Sequence, residues 1–290
     1  MNPKHEKAEA KPGEAPRDPV PITSDMVKAA ITNRDDFAFE IKVRALLIKH
    51  GASNVRHGWS YLDPVEEKPR QFDLRGEMCH FNNLRFIQLA VECKNLEPSQ
   101  PLVISGTART YEEAYHHYLS SDSLRCWVYE AGADTRGVYH RYEFVGRHVT
   151  RLSLKGNALE ISKRDEEGDI YKRWSQALAS AVDPAKSAAN NTGVQTAVLT
   201  AVVIPDGSLW QMFYDDKGNL QDKPKLVESS TLFVGHEVVL DPRNLWMKLS
   251  HVQFFTVSGL DRFLANLTPT TADWNEWFPD KAERYTPTVH

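Results

Sequence analysis

Apolar positions recur along the chain with two different periods, and the change from one to the other marks its elements. "DDFAFEIKVRALLIKHG" has helical spacing. Phe37, Ile41, Val43, Leu47 and Ile48 supply a broad apolar face, Asp35 or Asp36 caps the start and Gly51 offers the stop. A shorter helix is expected from "SDMVKAAI" at Ser24. "NLRFIQLAVECKN" instead alternates with period two. Ile87, Leu89, Val91 and Cys93 share one face, and Phe86, Gln88, Ala90, Glu92 and Lys94 share the other. Further strands are expected in "SNVRHGWSYL", around Phe72 to Met78 and in "PLVISGTA". "TYEEAYHHYL" opens as a helix with a capping box from Thr110 to Glu113, and around its axis His116 and His117 diverge too far to chelate one ion.

Downstream, "DIYKRWSQALASAV" and "GLDRFLANL" read as helices, the first with Trp174, Leu178 and Ala181 in the core. "VQTAVLTAVVIP", "SLWQMFYD", "STLFVGHEVV" and "HVQFFTV" read as strands, with a Pro-Asp-Gly turn between the first two. Residues 130–168 and 215–230 are polar and glycine-rich and read as loops. With no internal repeat, the pattern predicts one α/β domain over residues 23–265, a mixed β-sheet flanked by helices. Residues 1–22, charged and proline-rich, are expected to be a disordered tail. Residues 266–290 are expected to be an irregular tail anchored by Trp274, Trp277 or Phe278.

Composition narrows the function classes. A formal charge of −4 and a pI near 6.3 argue against a pure nucleic-acid binder. They argue less against an enzyme whose acidic site holds divalent cations. No apolar run is long enough to span a membrane. Cys79, Cys93 and Cys126 are widely spread with no CxxC, which fits a reducing, cytoplasmic setting. There is no dinucleotide fingerprint, P-loop or nucleophile elbow.

The chemistry gathers at the end of "LAVECKN". Read alone, Glu92 and Lys94 are a hydrated strand end. The preceding "QFDLRG" changes that reading. Alternation sets Phe72 and Leu74 on the packed face and Asp73 with Gln71 on the other, and a hairpin brings Asp73 beside Glu92. Two adjacent carboxylates resist ionisation unless a cation lies between them. Oxygen donors of this kind suit Mg²⁺, with Mn²⁺ as a substitute, and the backbone carbonyl of Cys93 is a further candidate ligand. Lys94 would then act on bound water or a phosphate. Glu40 either pairs with Arg44 across one helical turn or serves this site as a ligand of a second ion.

Helix glutamate Glu40, Asp73 in "QFDLRG" and Glu92 with Lys94 in "VECK" resemble the PD-(D/E)xK nuclease superfamily. The pattern is similar to the restriction-endonuclease-like branch that includes the Mrr-type enzymes. The resemblance covers about residues 35 to 110 and departs from the pattern at Phe72, where the family has proline. It implies a restriction-endonuclease-like core and Mg²⁺-dependent cleavage of phosphodiester bonds, in DNA before RNA. Asp73 and Glu92 match the metal-binding acids, Lys94 the catalytic lysine and Glu40 the first-helix glutamate. A homodimer would suit double-strand cutting.

For substrate contacts, Gln71 and Gln88 share the active face. "HRYEFVGRHVTRLSLKG" concentrates Arg141, Arg147 and Arg151 against one acid, Glu143. It reads equally as a phosphate-binding groove and as a basic surface strand pair. Two other functions fit the same sequence: a non-catalytic nucleic-acid-binding or assembly protein on this fold, and an unrelated α/β protein.

Overall fold

The computed structural model describes residues 21–32, 35–63, 67–80, 84–135, 137–161, 169–241, 245–267 and 271–285. The expected N-terminal tail lies almost wholly outside them. The chain divides into two compact units, Met1–Asp35 and Asp36–His290. In the first, α1 (Ser24–Thr32) forms where the sequence predicts it, and Thr23 Oγ1 accepts the Met26 N–H at 3.3 Å to cap its start.

The second unit opens with α2 (Asp36–Lys49), β1 (Ser53–His57), the small antiparallel pair β2 (Ser60–Leu62) and β3 (Pro69–Gln71), and the hairpin β4 (Leu74–His80) and β5 (Arg85–Cys93). Then come β6 (Leu102–Ala108), β7 (His116–Ser121), β8 (Cys126–Ala131), β9 (Phe144–Lys155) and β10 (Ala158–Ile161). A long helix, α3 (Asp169–Ala189), leads to β11 (Gln195–Ile204), β12 (Leu209–Phe213), β13 (Lys225–Leu226), β14 (Ser229–Asp241) and β15 (Leu245–Thr256). The chain closes with α4 (Val257–Asn266), α5 (Thr271–Trp277) and β16 (Glu283–Arg284).

One mixed sheet carries the unit, in the order β1-β4-β5-β11-β15-β14-β9-β6-β12-β13. β4 and β5 are antiparallel, whereas β5, β11 and β15 are parallel. Parallel strands need cover on both faces, and here they have it. Ile87, Leu89, Val91 and Cys93 pack into one core with Phe39, Val43 and Leu47 of α2 and Leu260 and Leu264 of α4. On the opposite face, Ala90 joins a second core with Ala177, Ala181 and Ala185 of α3, whose small side chains let the helix lie close to the sheet. Leu178 and Ala181 are core as expected, while the side chain of Trp174 lies outside the described residues.

Several expectations need correction. Apolar residues surround α2, but only the 39-43-47 stripe meets the sheet, so Phe37, Ile41 and Ile48 are exposed. "TYEEAYHHYL" is not a helix. The Thr110 N–H does donate to Glu113 Oε2 at 2.9 Å, yet that cap starts only a single 3-10 turn, Tyr111–Glu113. The chain then extends as β7 because β8 and β11 offer it backbone partners. On that strand His116 and His117 point to opposite faces, toward Trp277 O and Glu130. The expected loop at 130–168 contains the antiparallel pair β9 and β10. The C-terminal segment is not irregular: α5 and β16 form in it, and Trp274, Trp277 and Phe278 are buried as anchors.

α4 begins at Thr256, whose Oγ1 accepts the Gly259 N–H at 3.1 Å in a buried setting. Thr256→Ala is expected to cost about 1 kcal/mol. Urea denaturation should show a lower midpoint with an unchanged slope.

Candidate active site

β3 ends at Gln71 and β4 begins at Leu74, so Phe72 and Asp73 occupy a break between strands. The break is held by Gly58, at φ +68, whose N–H donates to Asp73 O at 3.1 Å. That positive φ is reached at low cost only without a Cβ. One expectation falls here. Strict alternation sets Phe72 and Leu74 on one face, but across the break Phe72 joins Tyr61 and Ala179 of α3 while Leu74 joins the α2 core.

Leu74↔Val91 is the last pair of the hairpin, and Asp73 and Glu92 lie just beyond it, close enough for their charges to interact. Asp73 Oδ2 accepts the Cys93 N–H at 2.7 Å, which ties the carboxylate to the end of β5. The Lys94 N–H donates to Val203 O at 2.8 Å and carries the pairing with β11 one residue past the strand. Lys94 Nζ donates to Glu92 Oε1.

Glu92 is 1% exposed, so it is not a hydrated strand end. α3 covers the face on which it lies. Its second oxygen, Oε2, is buried with no hydrogen-bond partner. A buried carboxylate oxygen without a donor is costly. Burial pushes the Glu92 carboxyl up to about 7; the Lys94 ammonium opposes this, while Asp73 and Glu40 add to it. Burial also raises Asp73, against the Cys93 N–H and Lys94. The Cys93 thiol turns into the α2 core, where burial raises it well above its ordinary value.

Glu40 comes to the same neighbourhood from α2, and its charge raises both Asp73 and Glu92. Of the two roles the sequence left open for it, the pair with Arg44 is not the one seen. Instead His57 Nε2 donates to Glu40 Oε2 at 2.5 Å, and the Phe37 ring lies 5.4 Å from the imidazole. His57 was not singled out from the sequence. The available signal was alternation in β1: Val55, which packs against the α2 core, shares a strand face with His57.

The remaining candidates are dispersed. Gln71 is exposed, and its carbonyl accepts Gln176 Nε2 at 3.3 Å. Gln88 donates to Glu77 Oε2 at 2.9 Å and lines a cavity farther along β5. The arginine cluster lies on and before β9, four strands from β5 in the sheet order. Arg147 is held bidentately by Glu113, Arg151 by Gln100, and the Arg141 guanidinium lies 4.5 Å over the Tyr142 ring.

Among the described residues, no three His, Cys, Asp or Glu side chains form a chelating group by themselves. Asp73 and Glu92 nevertheless suit a hard cation, which takes one or two carboxylates and keeps several waters. The unpartnered Glu92 Oε2 is the donor such an ion would satisfy. No protein-family model matches the chain, and no curated protein or solved structure matches it. Among the described residues no helix is long and apolar enough to cross a membrane.

Proposed function

We propose that the protein is a divalent-cation-dependent nuclease of the PD-(D/E)xK type, acting on DNA in preference to RNA. The observation that carries the reading is the buried, unpartnered Oε2 of Glu92 beside Asp73, with Lys94 at the same strand end. A mixed sheet flanked by helices is the setting this reading requires.

Asp73 and Glu92 would hold Mg²⁺ or Mn²⁺, with the Cys93 carbonyl as a further oxygen donor and Glu40 toward a second ion. When bound, the ion supplies Lewis acidity to the phosphate and lowers the pKa of its water. The protein's own contributions follow from the geometry. The Cys93 N–H fixes the rotamer of Asp73, and His57 fixes Glu40. Lys94 is tethered to Glu92 yet 24% exposed, so its ammonium can reach outward to orient an attacking water and stabilise charge developing on the phosphate. Glu92 is 1% exposed, and burial strengthens the charge interactions it makes.

The direct test incubates the full chain with single-stranded and duplex DNA and with RNA, in Mg²⁺, in Mn²⁺ and in EDTA. Cleavage that requires the divalent ion is expected. Tight nucleic-acid binding with no cleavage of any of these substrates would instead favour the non-catalytic binding protein.

A further inference from the structure

The face of β5 that carries Glu92 runs back through Ala90 to Gln88, and there it floors a cavity of about 520 Å³. Phe72 and Arg75, which flank Asp73 and Leu74 in sequence, also line it. Its volume lies within the range of small-molecule sites.

Two features of its lining point to a ligand. The first is Trp59, which is 58% exposed. Trp274 and Trp277 are buried as core anchors, but Trp59 stands at the rim with the Arg56 guanidinium 4.9 Å from its ring centre. That guanidinium lies over one face of the indole, and the exposed remainder of the ring is a stacking surface for a flat, polar aromatic group attached to an anion. The second is the floor, where the Gln88 amide donates to Glu77 Oε2 at 2.9 Å while Ser53 and Asn54 hold Glu77 Oε1, so the Glu77 carboxylate is satisfied and the Gln88 amide oxygen is left to receive a donor. Stacking surface, hydrogen-bonding floor and cation together match a nucleotide.

We infer that this cavity receives an unpaired nucleobase, so that the substrate is single-stranded DNA, or duplex DNA with unpaired nucleotides at the cleavage point. The inference rests on the nuclease reading and names its substrate class. A base inside a duplex cannot enter, because its faces are stacked and its edge is paired. Asn191, after the end of α3, borders both this cavity and a second one of about 910 Å³. The second contains another tryptophan beside an arginine, with Arg284 lying 5.7 Å from the Trp127 ring centre. The departing strand therefore has a path from Trp59 past the end of α3 toward Trp127.

The test measures binding of a short fluorescent single-stranded oligonucleotide and its blunt duplex in EDTA, and cleavage of both in Mg²⁺. Wild type, Trp59→Ala and Trp59→Phe are compared. Because Trp59 is exposed, its removal should leave the fold intact. Trp59→Ala is expected to weaken single-strand binding by about 10-fold, Trp59→Phe to retain most of it, and duplex binding to change little. Single-strand binding equal to wild type in Trp59→Ala would overturn the inference. If Trp59→Ala weakens binding as expected but no form of the protein cleaves DNA, the base site stands and the nuclease reading falls. If the protein cleaves DNA and Trp59→Ala keeps the wild-type ratio of single-strand to duplex cutting, the nuclease reading stands and the base site falls.

Discussion

Replacing Asp73 by asparagine is expected to lower Mg²⁺-dependent DNA cleavage by at least about a hundredfold while the protein stays folded. Asparagine retains an oxygen that can accept the Cys93 N–H, so the tie between the strand break and the end of β5 survives. What it removes is the negative charge from one of the two carboxylates proposed to hold the cation. Asp73→Ala would remove both and confuse a structural loss with a chemical one. Lys94→Ala should cause a loss of similar size for a different reason. In the proposed mechanism its ammonium stabilises charge on the phosphate, and its backbone N–H, which holds Val203, is untouched by the substitution. Cleavage rates are read alongside circular dichroism and a thermal midpoint. Undiminished cleavage in both folded variants would remove the site from the mechanism.

This pair of residues was legible because its information is local. Period-two alternation, a hairpin and two carboxylates at matching distances from its turn are all written in residues 71–94. The register Leu74↔Val91 brings the two carboxylates to the same end of the hairpin. The helices α2, α3 and α4 and the strands β11, β12, β14 and β15 were likewise expected from local pattern, caps and turns.

What the sequence did not reveal depends on partners distant along the chain. Glu92 looks like a strand end approaching water, yet the fold leaves it 1% exposed, and α3, more than seventy residues later, covers Ala90 on the same strand face. β7 carries a helix-start signature, but backbone pairing with β8 and β11 outweighs one capping box. α2 is apolar on all sides, so periodicity could not select the 39-43-47 stripe that meets the sheet. The basic run from His140 to Lys155 looked free to bind phosphate, yet Arg147 is occupied by Glu113, an acid thirty-four residues earlier. Composition reports how many charges a segment carries and not which of them are already satisfied.

The unsatisfied charge at Glu92 carries the second large expectation, in stability rather than rate. Glu92 is expected to make the folded protein less stable as pH rises from about 4.5 to about 7, and Glu92→Gln should abolish that component. The sign follows from linkage. Burial raises the folded-state value to about 7 from the 4.5 of an unfolded glutamate, so between these values the native state binds more protons than the unfolded chain. The stabilisation from a protonated Glu92 is therefore fully present below 4.5 and is lost as pH climbs through about 7. The raised Asp73 acts in the same direction. A displacement of this size corresponds to about 3 kcal/mol. Other groups also titrate, so the informative quantity is the difference in unfolding free energy between Glu92→Gln and wild type. It should grow by about that amount between pH 4 and pH 8. Millimolar Mg²⁺ at pH 8 should raise the wild-type midpoint, because a cation that binds only the native state stabilises it by mass action. It should do little for Glu92→Gln, which lacks the charge. Parallel stability curves for the two proteins would show that Glu92 is not held in the raised state. A Mg²⁺ response of equal size in both would show that the ion binds somewhere other than between these two carboxylates.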